Sequence, residues 1–290
     1  MYHWRMRTLL PQRDTRKHTG HFRPALIARV LAARSGIPNG ALLLHNLPIG
    51  EVPATPTSTA AFTKVDCTSE RNLLEIAALL GEPVGYAQEH GGEIIQNLYP
   101  LASSVGRQLS TSSDVALAFH TETAFHPHKP KFLLLLCLRG DASAATTLCT
   151  ANDIIGQLTG RTLTTLSQPR FRCGVDESFG SGIAWLTDRR PVFDHNQALT
   201  FDSELTIGID DEAEAALDEL RTAIARSCSA ITLAAGDLLI IDNRRAVHGR
   251  SSFTARFDGT DRWLQRTFVV DSLAPSAKER VGRVITTRFD

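Results

Sequence analysis

The sequence predicts an α+β fold, in which helices come first and an antiparallel sandwich or barrel follows. Three observations lead there. Helical periodicity is confined to the N-terminal third and two later segments. From about residue 84 the chain turns into short runs rich in apolar and β-branched residues. Few strand–helix–strand alternations of the parallel kind occur between them. With 290 residues, 42% hydrophobic and 21% charged, the chain can bury a sizeable core as one large domain or two small ones, and the order of its elements favours one domain over 1–290.

Taken in order, residues 1–23 carry six Lys/Arg against one Asp and are expected to form a solvated basic extension. "PALIARVLAAR" (24–34) reads as a helix with Pro in its first turn and Gly36 just past its end. "EVPATPTSTA" (51–60) reads as a surface connection. In "SERNLLEIAALLGEP", Ser69 is a candidate N-cap, Leu73, Ile76, Ala77 and Leu80 share a face, and Gly81 is the stop. Strands are expected at "EIIQNLYP", "VALAFHTET", "KFLLLLCLR", "ATTLCT", "IAWLTD", "ITLAAGDLLIIDNRRAVHGR" and "RWLQRTFVV". Between them "ANDIIGQLTGRTLTTL" reads as helical with Asn152 or Asp153 as its cap. "DDEAEAALDELRTAIARS" shows Leu217, Leu220 and Ile224 on one stripe, with acid at its start and Arg at its end.

Several function classes fall away on composition. A formal net charge of zero gives no global pull toward nucleic acid or an anionic membrane. Five scattered cysteines without C-x-x-C spacing argue against a disulfide framework or thiolate zinc site and fit a reducing cytoplasm. "FLLLLCL" is too short to span a bilayer, and the basic N-terminus lacks the apolar core of a secretory signal. The expected partner is a small molecule; the sequence does not report an oligomeric state.

The chemistry centres on "HTETAFHPHKP" (120–130). In a strand His120 and Glu122 would point to one face, with small Ala118 and Ala124 leaving room for a metal. A third ligand has to come from elsewhere. His248 follows the apolar "GDLLIIDNRRAV" and is expected at a strand end. Two histidines and one carboxylate, with open positions, make up the facial triad of non-heme Fe(II) oxygenases. His126 and His128 are read as surrounding or loop residues. Arg262 and Arg266 lie 14 and 18 residues beyond His248, both even offsets, so both guanidiniums would face one side and require anionic partners.

Together "FHTETAFHPHKPKFLLLLCLRGD", "ATTLCT", "GDLLIIDNRRAVHGRSSF" and "DGTDRWLQRTFV" resemble the clavaminate synthase-like branch of the Fe(II)/2-oxoglutarate oxygenases. Arginine, asparagine and lysine hydroxylases belong to that branch. The resemblance runs from about Gln88 to Val270. It implies a double-stranded β-helix (jelly-roll, cupin-like) core with flanking helices. It also implies Fe(II), 2-oxoglutarate and dioxygen as cofactor and cosubstrates, and a place in natural-product or antibiotic biosynthesis. His120, Glu122 and His248 would hold the iron. Arg262 would bind the distal carboxylate of 2-oxoglutarate with Thr147, or Thr146 next to it. Arg266 would meet the substrate's α-carboxylate and Gln88 its amino group. A carboxylate at 122, where halogenating relatives carry a small residue, favours oxygen insertion.

The region 169–210 occupies the lid position of that family, with Asp194 the leading contact for the substrate side chain and Asp202 and Glu204 behind it. The resulting expectation is hydroxylation of a polar free L-amino acid at C3 or C4. The same iron centre could desaturate, cyclise or epoxidise, or act on a carrier-bound substrate. A non-catalytic cupin-like ligand sensor is the reading furthest from this.

Overall fold

A computed structural model describes residues 22–59, 64–180 and 185–289, so most of the basic extension lies outside the described residues. The helices are α1 (Pro24–Ala33), α2 (Thr68–Leu80), α3 (Ala151–Ile155), α4 (Gly160–Leu166) and α5 (Asp211–Ser227). The first seven strands are β1 (Ala41–Leu44), β2 (Glu82–Tyr86), β3 (Gln96–Leu98), β4 (Leu117–His120), β5 (Phe132–Arg139), β6 (Ala145–Thr150) and β7 (Phe171–Cys173). The remainder are β8 (Thr206–Gly208), β9 (Ser229–Thr232), β10 (Leu238–Asp242), β11 (Ala246–Arg250), β12 (Trp263–Val270), β13 (Arg280–Val281) and β14 (Val284–Ile285).

Among the described residues the strands form two main sheets and a short pair. The larger runs β1-β10-β5-β12-β2-β14-β13, with β3 also on β12; the smaller runs β4-β11-β6-β9; β7 pairs with β8. Every pairing is antiparallel except β14 on β2. Strand alternation sorts the apolar residues into layers. Leu134, Leu136, Leu238, Ile240, Trp263 and Val269 face α1 and α2. Leu133, Leu135, Leu239, Ile241, Leu264 and Phe268 instead share a cluster with Leu148 and Ala246 of the smaller sheet. That inner layer holds the polar centre. On the far side, Cys149 and Val247 pack against α3, α4 and α5.

Local chemistry explains most boundaries and corrects some expectations. Helix α2 starts at Thr68, one residue ahead of the expected cap. Asp66 Oδ1 accepts from Thr68 N–H at 2.8 Å, and Ser69 is buried and donates to Glu70 instead. "ANDIIGQLTGRTLTTL" is two helices, capped by Thr150 and Thr159, whose hydroxyls accept from Asp153 and Thr162 N–H. Asp210 caps α5 by accepting from Ala213 N–H, with acids in its first turn and Arg226 in its last. The described part of "IAWLTD" forms no strand, only an isolated bridge between Leu186 and Gly174. Strand β1 precedes the predicted onset of strands. Its three half-buried residues and one buried residue leave too short a pattern to separate from a turn.

Candidate metal and substrate centre

The expected strand "ITLAAGDLLIIDNRRAVHGR" is broken three ways: β9, then β10 in the large sheet, then β11 in the small one. The chain crosses between sheets through Asn243, Arg244 and Arg245. His248 therefore sits mid-strand rather than at a strand end, directly opposite His120 of β4 in the ladder.

Glu122 reaches the same place by another route. Strand β4 ends at His120 and the chain turns, with Thr123 at φ 48°. The same-face strand argument for the pair therefore does not apply. What fixes Glu122 is Asn243. Its Oδ1 accepts from Glu122 N–H at 2.6 Å, and its Nδ2 donates to Glu122 O at 3.1 Å and Pro130 O at 2.9 Å. This buried amide satisfies both backbone groups of the residue and aims its side chain inward.

One side-chain donor atom from each of His120, Glu122 and His248 lies within 4.8 Å of the others. The two imidazole centroids are 4.4 Å apart, and His248 Nε2 is 3.4 Å from Glu122 Oε2. His120 Nδ1 faces Ala118 O at 2.8 Å, which leaves Nε2 as its inward atom. Burial and the neighbouring His120 push His248 down to about 4, so its imidazole is neutral at pH 7. Burial works against ionisation of Glu122, but Arg266 and the two histidines outweigh it and bring its carboxyl to about 2. Glu122 Oε2 takes no hydrogen bond although it is buried. The neutral His248 imidazole, the inward Nε2 of His120 and an ionised, unbonded carboxylate oxygen fit a divalent first-row metal.

Both arginines are buried. Arg262 immediately precedes β12, and its Nη2 donates to Thr146 Oγ1 at 3.3 Å. The expected partner Thr147 is on the other face. Leu148 points into the inner layer, so Thr146 does too, while Thr147 packs over Gly249. No carboxylate among the described residues lies within ion-pair distance of Arg262, and burial lowers its pKa to about 10. Nearby Arg250 is committed elsewhere, to the carbonyls of Ser110, Ser112 and Val115.

Arg266 shares the inward face of β12 with Leu264 and Phe268. It contacts Gln96, Glu89 and Glu122. Burial raises the Glu89 carboxyl to about 7 despite Arg266 beside it. Gln88 does not join this group; its Nε2 donates to Thr287 O in the C-terminal segment. Glu89 and Gln96 are thus the residues that reading the chain missed. Gln96 had a usable signal, since it lies in the expected strand "EIIQNLYP".

Asp194 also falls outside the centre's contacts. Its Oδ1 accepts from Asn196 and Ala198 N–H, both at 2.8 Å, and holds a turn. Asp202 lies beside the triad instead, its backbone in an isolated bridge with His120; burial raises its pKa, with His120 opposing. Its segment is anchored on β4 through Thr121 N–H to Phe201 O and Ser203 N–H to Phe119 O. His126 stacks among Tyr86, Phe125, Phe179 and Phe289 and accepts from His128 N–H; His128 pairs with Glu279. All five cysteines are free, and no described helix is long and apolar enough to cross a membrane.

Comparison with known proteins places this arrangement among relatives. Residues 181–268 match the family described as taurine catabolism dioxygenase TauD, TfdA family. The chain is 38% identical to an L-lysine 3-hydroxylase of Catenulispora acidiphila, covering 86% of this chain and 73% of that protein. It is 33% identical to clavaminate synthase 2 of Streptomyces clavuligerus, over 81% and 75% of the two. A solved structure of asparagine oxygenase with Fe(II), 2S,3S-3-hydroxyasparagine and succinate superposes with a TM-score of 0.85. It is 33% identical and covers 91% of this chain and 85% of that one.

Proposed function

The chain belongs to the clavaminate synthase-like branch of the Fe(II)/2-oxoglutarate oxygenases, and we propose that it hydroxylates a side-chain carbon, C3 or C4, of a polar free L-amino acid. The observation that carries this is the convergence of two imidazoles and one ionised carboxylate within 4.8 Å, with two buried guanidiniums on the same inner layer. That donor set leaves open coordination positions. Bound Fe(II), with 2-oxoglutarate and dioxygen, supplies the oxidising power for replacing hydrogen by hydroxyl at an unactivated carbon.

The protein's part is to hold and exclude. His120, Glu122 and His248 are the metal ligands, and Asn243 orients Glu122. Arg262, with Thr146 at its side, takes the distal carboxylate of 2-oxoglutarate; a dicarboxylate is the counter-ion the buried guanidinium lacks. Arg266 anchors the substrate's α-carboxylate. An amino acid fixed at that end presents C3 and C4 toward the ligands, and its side chain runs toward the lid, where Asp202 favours a terminus that donates hydrogen bonds. The two main sheets would be the halves of a double-stranded β-helix, closed as a single oxygenase domain over the described residues. The lid and the anchored α-end together shut water from the inner layer.

The test is succinate release from protein supplied with Fe(II) and 2-oxoglutarate, across the twenty amino acids. One or a few polar amino acids, lysine and asparagine among the first tried, should stimulate it strongly. Stimulation only by a carrier-bound or peptidic substrate would refute the free-amino-acid reading and leave the iron chemistry standing.

A further inference from the structure

Arg266 has no free donor edge. Its Nε donates to Gln96 Oε1 at 2.8 Å, its Nη2 reaches that oxygen and Glu89 Oε1, and its Nη1 lies 3.4 Å from Glu122 Oε1. Phe268 covers the plane, 4.6 Å from Cζ to the ring centroid. A carboxylate pairs with a guanidinium through two parallel N–H groups, so a substrate carboxylate cannot simply be added; one occupant must leave.

The three occupants are not equally free to go. Asn243 clamps Glu122 by its backbone. Gln96 is in the β3 ladder, in register with Arg266 itself. Glu89 sits in the loop between β2 and β3, followed by His90, Gly91 and Gly92, all at positive φ, a backbone that only its glycines adopt without strain. Glu89 is also incompletely satisfied. Its Oε2 takes no hydrogen bond although buried, and Gln96 Nε2 beside it gives none.

We propose that Glu89 holds, in this structure, the place on Arg266 that the substrate's α-carboxylate takes, and that on substrate entry it passes to the substrate's α-ammonium. The inference rests on the amino-acid reading above and makes Glu89, rather than Gln88, the residue that reads the amino group. The exchange leaves no buried charge unpaired: carboxylate to Arg266, ammonium to Glu89. An acid lacking the amino group displaces Glu89 without offering it a new partner, and a stranded buried carboxylate is costly. The site thereby selects α-amino acids by rejecting acids that lack the α-ammonium.

The test compares anaerobic calorimetric titrations of Fe(II)/2-oxoglutarate-loaded protein with two pairs of probes: L-lysine against 6-aminohexanoate, and L-asparagine against succinamate. Within the pair that binds, the wild type should prefer the amino acid by about 100-fold. Glu89→Gln should weaken the amino acid by about 10–100-fold and tighten its deamino partner. Glu89→Asp, which keeps the charge, should keep the preference and guards against a mere folding defect. Equal weakening of both members in Glu89→Gln, or no change in either, overturns the exchange alone. Should the succinate screen select another amino acid, that compound and its analogue lacking the α-amino group make the pair; wild-type protein that binds none of the twenty overturns the amino-acid reading and this inference with it.

Discussion

Replacing Arg262 by alanine removes a buried guanidinium whose one side-chain hydrogen bond among the described residues is to Thr146. If 2-oxoglutarate is its counter-ion, the variant leaves the distal carboxylate buried and unpaired. Arg250 cannot substitute, because its guanidinium already serves three loop carbonyls. Breaking a buried pair from one side costs about 3–5 kcal/mol, or roughly two to three and a half decades in affinity. The assay is an anaerobic titration of 2-oxoglutarate into Fe(II)-loaded wild type and variant. Thr146→Val should cost about 10–100-fold, one neutral-to-charged hydrogen bond, and Thr147→Val nothing. Folding stability gives an independent check. A guanidinium with no carboxylate partner contributes desolvation cost rather than stability, so Arg262→Met should not lower Tm. An Arg262→Ala variant whose 2-oxoglutarate affinity stays within threefold of wild type would refute the assignment.

Three further outcomes follow from the geometry. His120→Ala and His248→Ala should each abolish Fe(II) binding and turnover while circular dichroism and Tm show a folded protein; iron binding that survives either change would exclude that histidine as a ligand. Asn243→Ala removes three hydrogen bonds, two of them to the Glu122 backbone, and should lower iron affinity by about 10–100-fold, read by competition with a chelator. Burial, with His128 adding to it, pushes His126 down to about 3. Its native state refuses a proton that the unfolded chain accepts below about 6.5, so this histidine makes stability fall as pH drops from about 6.5 toward 3, by at most about 1.4 kcal/mol per pH unit. His126→Asn should flatten Tm against pH across that window, and an unchanged slope would mean the imidazole is protonated in the fold.

What the sequence made legible was residue identity, and what it hid was mostly register. The triad and both arginines could be picked out because their types and order are unusual, and the apolar periodicity of α2 and α5 marks those helices plainly. The path of the chain between them was less visible. Nothing in "DLLIIDNRRAVHGR" distinguishes one long strand from two strands in different sheets, since the turn is made by Asn243 and two arginines rather than by glycine or proline. The turn after His120 is similarly silent, with Thr123 taking a positive φ that its residue type does not advertise. One residue of parity separates Thr146 from Thr147, and each has one apolar neighbour and the other threonine beside it. Gln88 and Glu89 differ by the same single step. Asp194 and Asp202 look alike in sequence, and each holds a turn through its Oδ1; what separates them is place, since the backbone of Asp202 bridges to His120.

The most direct test of the account is the fate of labelled dioxygen. Protein with Fe(II), 2-oxoglutarate and the amino acid selected by the succinate screen is allowed to turn over under ¹⁸O₂, and the product is analysed by mass spectrometry and NMR. The account predicts a hydroxylated L-amino acid carrying one ¹⁸O on C3 or C4, formed one-for-one with succinate. A product lighter than the substrate by two hydrogens, or succinate formed with no change in any amino acid, would contradict it.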